Sequence, residues 1–327
     1  MNLKHAAAAL ALTSLVAAGA AQAAPKEITV AIASTFTTLD PYDASDTLSQ
    51  TASKSFYEGL FTFDKDMKVI DALATDYKVS DDGLVYTVTL RKGVKFHDGS
   101  EFKADAVKAN FDRVTNKANG LKRYMLYQNI EKTEVVDPTV RFTLKKPFSS
   151  FINQLAHPAG VMICPSTLAN KTNKQIAFEP CGTGPYTLDK YNPSEGMRVV
   201  KNPNYWQAGF PKLDAINWKP VVENSTRVAM LLTGEAQFAF PLPAEQVKQV
   251  QGKDQVRLDI TPSIILRYVE MNMSKKPFQD KRVREAFNYA INKEALCKVA
   301  FAGYADPATG YAPAAIDFAE KLGPWPY

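Results

Sequence analysis

Cysteine and histidine are scarce. The 327 residues include three of each, too few for a disulfide framework and too dispersed for a metal centre. His5 falls in a segment expected to be removed, and neither His97 nor His157 stands beside a cysteine or a carboxylate pair at metal-ligand spacing. Long apolar runs are missing too. The one candidate, residues 6–20, is rich in alanine and shorter than a bilayer span requires. It follows Lys4 and precedes Ala21-Gln22-Ala23, so residues 1–23 read as a secretory signal cut after Ala23. No cysteine follows to take a lipid, so the mature protein is expected free in an envelope compartment. Clustered basic charge is absent: the net +5 is spread along the chain and its local runs are pairs, Lys145-Lys146 and Lys275-Lys276. That argues against a nucleic-acid partner. No Gly-x-Ser-x-Gly elbow occurs, and Gly182-Thr183-Gly184-Pro185-Tyr186 is no phosphate loop, because Pro185 lacks an amide hydrogen and no Lys-Ser or Lys-Thr pair follows. We therefore expect no catalytic residue, no metal and no cofactor; a secreted hydrolase is the remote alternative.

What is present can bury a large core, since 46% of residues are apolar, and the length favours two domains. Ile28, Val30 and Ile32 alternate as in a strand over Glu27 to Ser34. A polar stretch from Thr35 to Asp46 follows, suited to a cleft. Strand-like runs at 86–90 and 94–96, a helix near Ala104 with Val107, Phe111 and Val114 on one face, and a hairpin pinched by Asp137-Pro138-Thr139 suggest a compact α+β insertion over 56–170. From Cys181 to Phe240 the pattern is strand, turn, strand, helix, strand, with Asn224 or Ser225 as helix cap and Gly234 as its left-handed stop. Phe240-Pro241-Leu242-Pro243 marks a domain end. Beyond it, Asp280 caps a helix whose Val283, Ala286, Phe287, Ala290 and Ile291 are expected to face a core. His97 sits in a turn and is expected to make a turn hydrogen bond. In an oxidising compartment Cys164 and Cys181, flanking a loop-like stretch, are the natural disulfide pair, and Cys297 is expected as a buried free thiol.

Several segments carry a resemblance. They are Leu39-Asp40-Pro41, Tyr57-Glu58-Gly59-Leu60, Leu90 to Gly99, Gly182 to Tyr186, Asn202-Pro203-Asn204-Tyr205-Trp206 and Val283 to Asn292. In this order the chain resembles the extracytoplasmic solute-binding proteins of the dipeptide, oligopeptide and nickel ABC importers. Phe36 to Ala44, Leu121 to Tyr124, Gly234 to Pro241 and Ala300 to Ala305 are similar to the glutathione-binding branch.

The resemblance implies an α/β, two-lobed periplasmic binding protein of type II, peptide-binding cluster. Lobe I would span 24–242, with the 56–170 subdomain inserted. Lobe II would begin at 243 and stand incomplete at 327, since relatives continue further. The implied function is capture of glutathione, or alternatively of a dipeptide, oligopeptide, haem or nickel chelate. The protein would be a periplasmic monomer that delivers its ligand to an inner-membrane ABC permease. For a ligand with two carboxylates and an ammonium, Arg123 is the expected carboxylate partner. Asp43 or Asp46 would meet the ammonium. Thr37, Thr38, Tyr42, Ser45, Tyr124 and His157 are further candidates.

Overall fold

In the computed structural model, which describes residues 26–313, 316, 319, 320, 322 and 323, the alternating apolar residues after the N-terminus form strand β1 (Glu27–Ile32). The expected signal, residues 1–23, lies outside the described residues. After β1 come helix α1 (Thr47–Ser53), the ribbon β2 (Phe61–Phe63) and β3 (Val69–Asp71), and strands β4 (Ala74–Val79) and β5 (Val85–Leu90). Helix α2 (Ala104–Thr115) and one-turn helix α3 (Tyr124–Tyr127) lead into the hairpin β6 (Ile130–Val136) and β7 (Thr139–Leu144). Short helices α4 (Phe151–Leu155), α5 (Pro165–Asn170) and α6 (Asn173–Ile176) return the chain to β8 (Tyr186–Asn192), β9 (Gly196–Lys201) and β10 (Ala215–Pro220). Helix α7 (Asn224–Thr233) joins β10 to β11 (Phe238–Phe240), followed by α8 (Val247–Val250), α9 (Lys281–Ala290) and α10 (Lys293–Ala300).

Two sheets organise these elements. The first has the order β11-β1-β10-β9-β8, with β1 parallel to both β10 and β11 and the rest antiparallel. The β10-α7-β11 connection therefore passes over β1. The second is antiparallel, β4-β5-β7-β6. Its period-two pattern buries Tyr86, Val88 and Leu90 on β5 and Val140, Phe142 and Leu144 on β7. Helix α2 covers it with Val107, Phe111 and Val114, all fully buried; each such side chain contributes roughly 1.5–3 kcal/mol of apolar burial. Phe142 touches Phe111 and Phe151 edge-on, at 5.0 and 5.5 Å between centroids. Asn110 interrupts the apolar stripe, and its amide both donates to Ile163 O (2.9 Å) and accepts from Ile163 N (3.0 Å). The two sheets share one continuous core, running from Val30 and Ile32 through Tyr42 and Leu60 to Phe142.

Several expected details differ. The run 94–96 makes only an isolated bridge, Lys95 to Glu101, because the turn at Gly99 folds it back on itself. Three strands precede α7. Its cap is Glu223, whose carboxylate accepts Ser225 N–H, while Asn224 accepts from Arg227 instead. Gly234 ends α7 at φ 78°. Cys164 and Cys181 are bridged, with Cα atoms 5.4 Å apart. Cys297 is free and half-buried rather than buried, since α10 buries no residue. The α9 stripe does not face a core: Phe287 is 44% exposed.

The two glycines of Gly182-Thr183-Gly184 are required by close approach. A Cβ on Gly182 would stand 2.3 Å from Phe56 O, and one on Gly184 2.5 Å from Phe56 C. Between them, Thr183 donates to Glu58, which also accepts from Tyr205 OH (2.7 Å) and Trp206 Nε1 (2.9 Å). Arg91 stacks 4.5 Å above the Trp206 ring. Burial pushes the Glu58 carboxyl above its ordinary range, against these three hydrogen bonds and Arg91, which pull it down. A group whose folded pKa is raised contributes stability that is complete below its unfolded pKa and is lost as pH rises through the folded one. Glu58→Gln replaces an oxygen, which can still accept when the carboxyl is protonated, with an amide nitrogen that cannot, and is expected to cost about 1–3 kcal/mol in acid. Urea denaturation should show that deficit shrinking as pH rises just above the glutamate range; a pH-independent deficit contradicts it.

Candidate ligand site

Residues 33–46 leave the carboxyl end of β1 between two parallel neighbours. In open α/β sheets ligand crevices lie outside such carboxyl ends, where neighbouring loops part. The polar stretch expected to form a cleft therefore leaves the sheet at the carboxyl end of β1.

Within the stretch the side chains divide by burial. Thr37 is exposed; its hydroxyl bonds Asp46 and its amide donates to Ser49 Oγ at 2.9 Å. Asp46 caps α1 through Ser49 N–H at 2.8 Å. Burial raises the Asp46 carboxyl, but bonds from Thr37 and Ser49 outweigh it and hold the carboxyl below the usual range. Ser45 is exposed. Thr38 and Tyr42, by contrast, are core residues. Thr38 Oγ1 accepts Asp40 N–H, and the fully buried Tyr42 donates its hydroxyl to Val161 O at 2.9 Å. Neither presents a hydrogen-bonding group to solvent, because the loop turns both inward to close the core.

A second segment packs against this loop. Arg123 N–H donates to Tyr42 O (3.1 Å), and Arg123 Nε donates to Ala44 O (2.8 Å). Among the described residues the terminal guanidinium nitrogens make no hydrogen bond or ion pair. Tyr124 begins α3, half-buried. Asp43 lies alongside, with Lys122 Nζ at 4.0 Å. His157 Nδ1 accepts Ala159 N–H at 3.0 Å. Burial, and then the Arg123 guanidinium, push its pKa down to about 4. The ring is therefore neutral at pH 7, and Arg123 carries the positive charge. Arg123 and His157 thus lie within electrostatic reach of each other, Asp43 pairs loosely with Lys122, and Asp46 and Thr37 form a separate cap at α1.

Sequence reasoning missed the groups behind Asp43. A recess of about 180 Å³ is lined by Asp40, Asp43, Asn119, Asn173 and Lys174, among others. Arg113 stands behind it, bonded to both Asp40 and Asn173. Its partners are distant in sequence, but Asn110 and Arg113 are polar residues on the packed side of α2, which was the available sign. An arginine with an open fork near a carboxylate that is only loosely held, by Lys122 at 4.0 Å, suits a zwitterion with carboxylates. Among the described residues the one cluster of possible metal ligands, Asp98 with Cys164 and Cys181, uses both disulfide sulfurs. No described helix is long and apolar enough to cross a membrane.

Residues 68–327 match the model of the bacterial extracellular solute-binding proteins, family 5 middle. The chain is 60% identical over 321 residues to the glutathione-binding protein GsiB of Salmonella typhimurium, covering 98% of this chain and 62% of that protein. To GsiB of Escherichia coli O157:H7 it is 58% identical over 305 residues, covering 93% and 59%. It thus spans about three fifths of these relatives' length. Among solved structures, the periplasmic binding protein DppA of Helicobacter pylori in complex with peptide STSA superposes with TM-score 0.84 at 28% identity, covering 91% of this chain and 63% of that one. NikZ of Campylobacter jejuni in complex with Ni(L-His) gives 0.75 at 26%, covering 88% and 57%.

Proposed function

The chain belongs to the family 5 bacterial extracellular solute-binding proteins, and from that premise we propose that it captures glutathione in the periplasm and hands it to an inner-membrane ABC permease. The observation that carries this reading is the identity to glutathione-binding relatives along nearly the whole chain. The geometry supports it: Arg123, held against the backbone of Tyr42 and Ala44, offers an open planar fork for a carboxylate, and Asp43 between them, weakly paired with Lys122, offers a carboxylate for an ammonium. In this proposal residues 24–242 form lobe I with 56–170 as its subdomain. Lobe II starts at 243, the ligand is enclosed between lobes by hinge closure, and the protein acts as a monomer.

A second reading, a dipeptide or nickel-chelate carrier, draws on the likeness to DppA and NikZ. Calorimetric titration of the full protein with glutathione, a dipeptide and a nickel–histidine chelate separates the two. Saturable heat with glutathione and none with the others is the expected result. Binding of dipeptide without glutathione would transfer the assignment to the second reading.

A further inference from the structure

The disulfide has a charged neighbour. A carboxylate oxygen of Asp98 and the sulfurs of Cys164 and Cys181 all lie within 4.8 Å of one another. Cys164 is fully buried, Cys181 is partly exposed, and Asp98 is exposed. Cys181 is therefore the more accessible half of the bridge, and a thiol approaching it meets the Asp98 carboxylate within 4.8 Å of the sulfurs. The carboxylate is fixed in place: Ser100 donates from both N–H (3.0 Å) and Oγ (2.6 Å), and Ser166 Oγ, in the first turn of α5, donates from the other side. Burial raises the Asp98 carboxyl, but these bonds outweigh it and keep the group ionised well into the acid range. Among the described residues no cation pairs with it.

We propose that Asp98 is an electrostatic guard that keeps anionic thiols, glutathione foremost, from opening the Cys164–Cys181 bridge. The importance of glutathione as the threat rests on the function proposed above; the guarding geometry does not. In the reaction opposed, a thiolate RS⁻ attacks Cys181 Sγ and the S–S bond breaks. A mixed disulfide forms on Cys181, and the electron pair leaves on Cys164 Sγ, which then takes a proton. Asp98 hinders both ends of this step. It repels the attacking thiolate, and it raises the energy of the buried Cys164 thiolate that must leave. A carrier that concentrates a thiol ligand while holding a disulfide in its fold has use for such a guard.

The test compares opening rates with three thiols of different charge, cysteamine (cationic), 2-mercaptoethanol (neutral) and glutathione (anionic), corrected for thiolate fraction and read by thiol trapping and mass spectrometry. Wild type should react in that order, with high salt narrowing the spread. Asp98→Asn, which retains an acceptor for Ser100, should speed glutathione about tenfold and cysteamine far less. Asp98→Glu should preserve the discrimination. Equal acceleration of all three thiols by Asp98→Asn would mean that Asp98 acts only on the leaving Cys164 sulfur or braces the loop and does not discriminate against anionic thiols, which overturns the proposal, as would no acceleration. Because the rates require no ligand binding, the outcome is separable from the titration that tests function; should Asp98→Asn not fold, the salt dependence of the wild type decides.

Discussion

Replacing Asp40 with alanine is expected to lower the unfolding free energy by about 3–5 kcal/mol, the cost of leaving a buried partner charge uncompensated. Asp40 is 1% exposed and the Arg113 side chain 9%, and the two are paired through both carboxylate oxygens. The same carboxylate accepts Tyr42 N–H at 3.0 Å, and Asp40 O accepts Asp43 and Ala44 N–H at 3.1 and 3.0 Å. Alanine therefore removes a charge partner and loosens the turn that carries Asp43. Arg113→Met leaves the carboxylate buried and should cost a similar amount. The double substitution Asp40→Ala with Arg113→Met should cost well below the sum, because neither charge is then stranded. Urea denaturation of the three variants measures the coupling. Additive losses would show that the pair does not act as a unit.

The second large effect is on binding. Arg123→Ala is expected to weaken glutathione affinity by about 2–5 kcal/mol, more than tenfold, since a charge-assisted partner of the ligand is removed. The melting temperature should change little, because the side chain makes one hydrogen bond, to Ala44 O, and no ion pair among the described residues. An internal control is built in. His157 is held low by burial first and by Arg123 second, so its pKa should rise from about 4 in the variant while staying below the usual histidine value. Nuclear magnetic resonance titration of the ring reads this directly. Unchanged affinity alongside a shifted His157 would place Arg123 outside the site yet beside the histidine.

Much of this was legible because local chemistry dictates it. Val107, Phe111 and Val114 recur at helical spacing and are buried as a stripe, and Asp137-Pro138-Thr139 turns the β6–β7 hairpin. Asp280 caps α9, and Gly234 ends α7. What was illegible depends on distant partners. Tyr42 reads as a polar aromatic in a polar loop, and only the carbonyl of Val161, 119 positions away, makes it a core residue. Arg113 pairs with a residue 73 positions away. His97 occupies a turn as composition suggests, yet its ring reaches Gly184 O at 3.0 Å rather than bonding within the turn. The α9 stripe has core periodicity, but periodicity does not provide the surface to bury it, and Phe287 remains exposed.

The shared core of the two sheets has a consequence for how such proteins can diversify. A segment that carries its own closed core can be exchanged between relatives like a cassette. Residues 56–170 cannot, because Phe56 and Leu60 pack in the same apolar cluster as Val30 and Ile32, and Gly184 N–H bonds Phe56 O while Cys164 is tied to Cys181. Recombination at the ends of the segment would split that cluster and strand half of it in water. Sequence drift in this region is thus channelled to the exposed turns, such as Asp64 to Lys68 and Asp81 to Gly83, where insertions leave the cluster untouched. Diversification of this scaffold is then expected to proceed by point changes, not by shuffling of parts.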